Sequence, residues 1–274
     1  MLKKLKPLAI FAMLLLLLTA CNSNDTTSEE KDTKPEKESE PPVEKVEIIV
    51  SAAASLTDVG EELATKFNEK NPNIKVTYNF GSSGKLSQQI QQGAPADVFL
   101  SASKKDMDFL SENKLIAEDT RFDFAGNELV VIAEKSTDIE LNKLEDIATV
   151  EANNITMGDI EATPLGRYGK EALETVGVWS QIEGKMVYAS TVNQVLTYIE
   201  EGNAELGISF NTDAIRSDKV KILTKIDPSL HAPVIYPAAA ISSSKVLDEA
   251  KLYLDFLTSE DGKAILQSQG FITK

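Results

Sequence analysis

From Val46 onward, short apolar runs and longer amphipathic stretches take turns along the chain, and this alternation restricts the fold more than any other feature. Val46-Glu47-Ile48-Ile49-Val50 reads as a strand, residues 57–70 as a helix, Ile74 to Phe80 as a strand and 84–92 as a helix. Further strands are expected at Ala96-Asp97-Val98-Phe99-Leu100, Asn127 to Ala133, Ile155-Thr156-Met157, Lys185-Met186-Val187-Tyr188, Leu206-Gly207-Ile208-Ser209-Phe210 and Val234 to Ile241. Helices are expected over 104–112, 165–176, 192–201, 245–258 and 260–268. Strands that are separated by helices favour an α/β fold with mostly parallel sheets. In such sheets small ligands sit beyond the carboxyl ends of the strands.

Two of these strand-to-helix passages have the chemistry of an anion site. The first is Ser51-Ala52-Ala53-Ala54-Ser55-Leu56-Thr57-Asp58, and the second is Phe80-Gly81-Ser82-Ser83-Gly84-Lys85-Leu86. The first amides of a helix have no partner within it, and a Ser hydroxyl adds a further donor. Such an end attracts negative charge. A lone Ser at a helix start is more often a cap than a ligand. Two of them on consecutive strand–helix units can converge on one small anion.

The first residues carry an address. Lys3, Lys4 and Lys6 precede an apolar run, Leu8 to Leu18, that is short for a membrane span. Leu18-Thr19-Ala20-Cys21 then follows, with small residues directly before the single Cys of the chain. Residues 1–20 read as a secretory signal. The Leu-Thr-Ala-Cys pattern resembles a bacterial lipobox, which implies cleavage before Cys21, a lipid on its thiol and attachment to the outside of the cell membrane. Residues 21–45 are Ser, Thr, Asp, Glu, Lys and Pro with few apolar residues, and read as a disordered tether. About 230 residues remain, enough for two small lobes with a real core.

Several function classes are disfavoured. The formal net charge is −15, with no basic stripe, so nucleic acid is not an expected partner. An acidic surface does not draw anions in from a distance, so an anionic ligand has to be held by short-range dipoles. His231 is the only His, in a loop-like stretch where it reads as a surface residue without a role, so no Ser-His triad is expected. Neither a His/Cys metal cluster nor a Walker-type glycine loop is present in the sequence. No cofactor is implied. Asp97 reads as a structural acid, Lys85 as a solvated helix residue and Trp179 as a helix-end packing residue.

The chain resembles the molybdate-binding proteins of bacterial ABC importers, which have a type II periplasmic-binding-protein fold. The residues that carry the resemblance are Ala52-Ala53-Ala54-Ser55-Leu56-Thr57, Gly93-Ala94-Pro95-Ala96-Asp97-Val98-Phe99-Leu100-Ser101-Ala102 and Gly126-Asn127-Glu128-Leu129-Val130-Val131. Gly158-Asp159, Tyr168 to Leu173 and Leu206-Gly207-Ile208 add to it. The resemblance implies two lobes, each a mostly parallel sheet flanked by helices: 46–125 plus 244–274, and 126–243, with crossings near Gly126 and near Ile241 to Ser244. It also implies which residues meet the oxyanion. Ser55 and Ser83 would each give a hydroxyl and an amide, and Leu165 and Val192 an amide only. Phe210 stands where the pattern has a Tyr, so one donor is lost there; Thr212, Ser190 or a water is the expected replacement.

A site made only of donors fits a fully deprotonated dianion. Monohydrogen phosphate brings its own donor and clashes with such a site. Molybdate, tungstate and sulfate all pass this test, and the resemblance selects the first two. Sulfate remains the alternative. The implied partner is an ABC permease, reached by a monomer whose lobes close on the ligand.

Overall fold

The computed structural model describes residues Lys45–Thr273. The signal segment, Cys21 and nearly all of the tether lie outside them. No helix among the described residues is long and apolar enough to cross a membrane.

In the first part of the chain β1 (Val46–Ala53) passes through a 3-10 turn (Ala54–Leu56) into α1 (Thr57–Lys70). Then come β2 (Ile74–Gly81), α2 (Ser83–Gln91), β3 (Val98–Leu100), α3 (Lys104–Glu112) and β4 (Phe122–Gly126). The middle part holds β5 (Leu129–Glu134), β6 (Ile155–Gly158), α4 (Pro164–Thr175), α5 (Trp179–Ile182) and β7 (Met186–Ala189). It continues with α6 (Val192–Glu200), β8 (Leu206–Phe210), α7 (Asn211–Ala214) and β9 (Val220–Lys225). The chain closes with β10 (Ile235–Ala240), α8 (Leu247–Thr258) and α9 (Glu260–Ser268).

These strands form two five-stranded sheets, ordered β2-β1-β3-β10-β4 and β7-β6-β8-β5-β9. Each sheet has one strand running against the other four: β10 is antiparallel to β3 and β4, and β5 to β8 and β9. The reversed strands are the two that follow a crossing between lobes. β1, β6 and β8 run toward the cleft, so a chain that has just crossed beside the cleft has to run away from it. Fold class and strand direction therefore match the expectation of two mostly parallel sheets.

The second crossing differs from the expected one. The expected boundaries place the strand at Val234 to Ile241 in the lobe 126–243. β10 instead lies between β3 and β4, so the crossing runs through residues 226–234. Ala238, Ala239 and Ala240 have no exposed surface, because β10 is covered on both faces. An apolar run of this kind announces a strand but not which sheet it joins. β4 and β9 were not expected at all. Both are edge strands whose residues are partly exposed, and that weakens the apolar signal.

Helices cover both faces of each sheet, as parallel strands require. Leu86, Ile90, Met107 and Leu110 of α2 and α3 pack with Phe99 and Ala239. α1, α8 and α9 pack on the opposite face, where the Phe67 ring meets Tyr253 edge-on at 5.3 Å between centroids. In the second sheet, adjacent positions of β8 point opposite ways. Ile208 lies against Gly169 of α4, and Gly207 faces Ile199 of α6. β6, β8, α4 and α6 thus bring their cleft-facing ends to one place.

Candidate functional site

A small cavity lies between the two sheets. It is lined by Ala53, Ala54 and Ser55 at the end of β1 and in the turn after it, and by Gly81, Ser82 and Ser83 where β2 passes into α2. The facing residues are Thr163 and Pro164 before and at the start of α4, Thr191 and Val192 at α6, and Phe210 at the end of β8. The lining contains no charged side chain. Four helical N-termini converge there: the 3-10 turn that precedes α1, and α2, α4 and α6. Their summed dipoles favour negative charge at the centre.

Each end leaves donors free in its own way. In α4, Pro164 has no N–H, the Gly166 amide donates to Thr163 Oγ1 at 2.9 Å and the Arg167 amide to the Thr163 carbonyl. That leaves the Leu165 amide as the donor of this turn without a protein partner among the described residues. Pro at the first helical position after a Thr cap is a favoured arrangement. At α6 the Thr191 side chain accepts from the Gln194 amide at 3.3 Å, and its carbonyl from Val195. The Val192 amide beside it has no protein partner among the described residues. Leu165 and Val192 are themselves buried.

The two serines are held differently. Ser83 Oγ accepts the Ala102 amide at 3.0 Å, which leaves the Ser83 hydrogen available to a ligand. Ser55 Oγ lies 2.9 Å from the hydroxyl of Tyr236, a residue with no exposed surface. Tyr236 in turn accepts from Asn127 Nδ2 at 3.2 Å, and the same nitrogen donates to Thr212 Oγ1 at 2.8 Å. Ser82 lines the cavity, but its hydroxyl is spent on the Ala162 carbonyl of the other lobe.

The lobes also meet beyond the cavity. Arg167 pairs with Asp106, and both side chains are largely buried. Burial raises the Asp106 carboxyl above the usual carboxylate range, and Arg167 only partly offsets this. Arg216 bridges Asp58 of the first lobe and Asp213 of the second. Gly84 is required by the close approach: a Cβ there would lie 2.6 Å from the Ala162 oxygen.

All five residues expected at the site from sequence gather here. Ser55, Ser83, Val192 and Phe210 line the cavity, and Leu165 follows the lining residue Pro164. The expected replacements for the lost Tyr donor do not. Thr212 Oγ1 accepts from Asn127 and the exposed Ser190 donates to Gln194 at 2.9 Å, and neither residue lines the cavity. His231 is buried rather than on the surface, with Nδ1 2.8 Å from the Ala232 carbonyl and its ring 6.0 Å from that of Tyr168. Asp97 is structural, as expected. It accepts the Ile49 amide at 2.8 Å and the Ser244 hydroxyl at 2.7 Å. Lys85 is solvated.

Sequence reasoning missed Tyr236, Asn127 and the Ala102 amide. Tyr236 is 181 positions from Ser55, and no local pattern links them. The Thr163-Pro164 pair was a readable helix-start signal.

Two α/β lobes with a donor-lined cavity at the facing ends of their strands define a solute-binding protein of the two-lobed class. The model of the bacterial extracellular solute-binding protein family matches residues 48–272, and the chain belongs to that family. It is 33% identical over 256 residues to the substrate-binding lipoprotein YvgL assigned to an ABC transporter of Bacillus subtilis (strain 168), covering 93% of each chain. It is 35% identical over 231 residues to the molybdate-binding protein ModA of Escherichia coli (strain K12), covering 83% of this chain and 89% of that one. The substrate binding domain assigned to a molybdenum ABC transporter of Clostridium difficile superposes with a TM-score of 0.67 at 36% identity. That match covers 84% of this chain and all of that one.

Proposed function

We propose that this protein captures molybdate between its lobes and supplies it to an ABC transporter. One observation carries the reading: the cavity offers donors from both lobes and no charged side chain. Hydroxyls of Ser55 and Ser83 and amides of Leu165 and Val192 together suit an anion whose oxygens are all acceptors. Phe210 contributes an apolar wall. Full dehydration of a dianion is expensive unless every oxygen is hydrogen-bonded, so both lobes are needed to complete the shell. Ligand binding therefore favours the closed form. The relatives named for molybdate or molybdenum support this choice of oxyanion. Tungstate, with the same charge and shape, is bound by the same donors.

Cleavage before Cys21 and lipidation of its thiol would hold the protein at the outer face of the cell membrane, with a membrane permease as the recipient. The lipoprotein relative supports this arrangement. Isothermal titration of the purified protein with molybdate, tungstate and sulfate is the test. Molybdate and tungstate should bind with one-to-one stoichiometry and sulfate far more weakly. Sulfate binding as tight as molybdate, or no heat with any of the three, would overturn the choice of ligand.

A further inference from the structure

We infer that Tyr236 is a positioning residue for Ser55: its hydroxyl fixes Ser55 as a hydrogen-bond donor toward the cavity and so makes the site reject oxyanions that carry a hydrogen. The inference rests on the oxyanion reading above and adds a residue that does not line the cavity.

The direction of each hydrogen bond follows from what its partners can do. The backbone N–H of Glu128 can only donate, and it lies 2.9 Å from Asn127 Oδ1. That contact fixes the orientation of the Asn127 carboxamide, so its nitrogen faces Thr212 and Tyr236. Both hydrogens of that nitrogen are then given away, and the Tyr236 oxygen receives one of them. Tyr236 has its own hydrogen left to place. It is wholly buried, its ring meets Phe124, Phe210 and Phe271 edge-on, and the other hydroxyl within reach is Ser55, at 2.9 Å. A buried hydroxyl hydrogen without an acceptor is costly, so Tyr236 donates to Ser55. Burial and the nearby Asp213 raise the Tyr236 ionisation far above its ordinary value, which keeps this hydrogen in place through the physiological range. With one lone pair of Ser55 Oγ taken by the Tyr236 hydrogen, the Ser55 hydrogen is not spent on Tyr236 and is left for an oxyanion in the cavity.

The chain of bonds has a further consequence. Asn127 and Glu128 form the first crossing between the lobes, between β4 and β5. The polarity of Ser55 is thus set from the hinge itself. A serine free to rotate would serve equally as acceptor for the O–H of monohydrogen phosphate. A serine that already accepts from Tyr236 and gives its own hydrogen to the ligand has one lone pair left and is the poorer acceptor for that O–H.

The test is a double-mutant cycle on molybdate affinity with Tyr236→Phe and Ser55→Ala, followed by competition with inorganic phosphate at pH 8. Tyr236→Phe keeps the ring and should weaken molybdate roughly fivefold, the effect of one neutral hydrogen bond. In the Ser55→Ala background the same change should have no effect on affinity, because the group it acts through is gone. Phosphate should compete with molybdate at least tenfold better in Tyr236→Phe than in the parent. Equal losses in both backgrounds, or unchanged phosphate competition, would overturn the inference. If Tyr236→Phe does not fold, Asn127→Ala replaces it. That variant leaves Tyr236 free to take the Ser55 hydrogen, and the same non-additivity and the same phosphate gain are required. Failure of the parent protein to bind molybdate would sink the functional reading instead, and the two results are distinct.

Discussion

The two lobes meet the cavity with different chemistry. The first adds side chains to the amides of its helix starts: the hydroxyls of Ser55 and Ser83, each oriented by a partner, Tyr236 or the Ala102 amide. The second presents backbone: the amides of Leu165 and Val192, left over after Thr163 and Thr191 have satisfied their neighbours. A hydroxyl can be removed by one substitution, and its hydrogen can rotate. An amide at a helix start is fixed by the helix and survives any substitution except Pro. The first lobe therefore holds the adjustable half of the site and the second the invariant half.

This contrast predicts a split among alanine variants. Ser55→Ala and Ser83→Ala should each weaken molybdate binding by more than tenfold, since a hydrogen bond to a charged group contributes about 1.5–3 kcal/mol. Leu165→Ala and Val192→Ala, which keep their amides, should stay within about threefold of the parent, given the same magnitudes for a lost donor. Titration calorimetry on the four proteins reads this directly. A Val192→Ala loss as large as that of Ser55→Ala would break the division of labour.

A smaller effect is expected where the lobes touch without touching the ligand. In Gly84→Ala the new methyl group would press on the Ala162 oxygen of the other lobe. Overpacking of this kind costs about 1–3 kcal/mol, and here only the closed form is affected. Molybdate affinity should fall about tenfold while the melting temperature without ligand holds steady. A fall in that melting temperature equal to the loss of binding energy would mean that Gly84 serves the first lobe alone.

How much of this was readable in the sequence follows the same division. The strand–helix alternation gave the fold class, because burial on both faces writes apolar runs such as Val98-Phe99-Leu100 and Leu206 to Phe210. Edge strands β4 and β9 left only partial signals, and the sheet to which β10 belongs is a matter of long-range pairing. Ser55 and Ser83 announced themselves by residue type at a helix start. Leu165 and Val192 have side chains that say nothing about their amides, and only the family resemblance pointed to them. Tyr236 and Asn127 were beyond reach, since their roles arise from a hydrogen-bond chain that joins residues 55, 127, 212 and 236. His231 is buried against the expectation, because a single His in a loop-like stretch carries no burial pattern.

The smallest expected effect tests whether the second lobe's amides really are independent of side chains. Thr163 and Thr191 cap α4 and α6, and Thr163 also spends its own hydrogen, on the Asp159 carbonyl. Thr163 Oγ1 accepts from Gly166 at 2.9 Å and donates to the Asp159 carbonyl at 2.7 Å, whereas Thr191 Oγ1 accepts from Gln194 at 3.3 Å. Loss of a Thr cap costs about 0.5–2 kcal/mol, so Thr163→Ala should fall in the upper part of that range and Thr191→Ala in the lower. For a domain of this size each kcal/mol moves the melting temperature by about 2–4 °C. Both variants should still bind molybdate within about threefold of the parent, because the helix rather than the cap aims the Leu165 and Val192 amides. A Thr163→Ala protein that keeps its melting temperature but loses the ligand would place a third hydroxyl at the site and make the two lobes chemically alike.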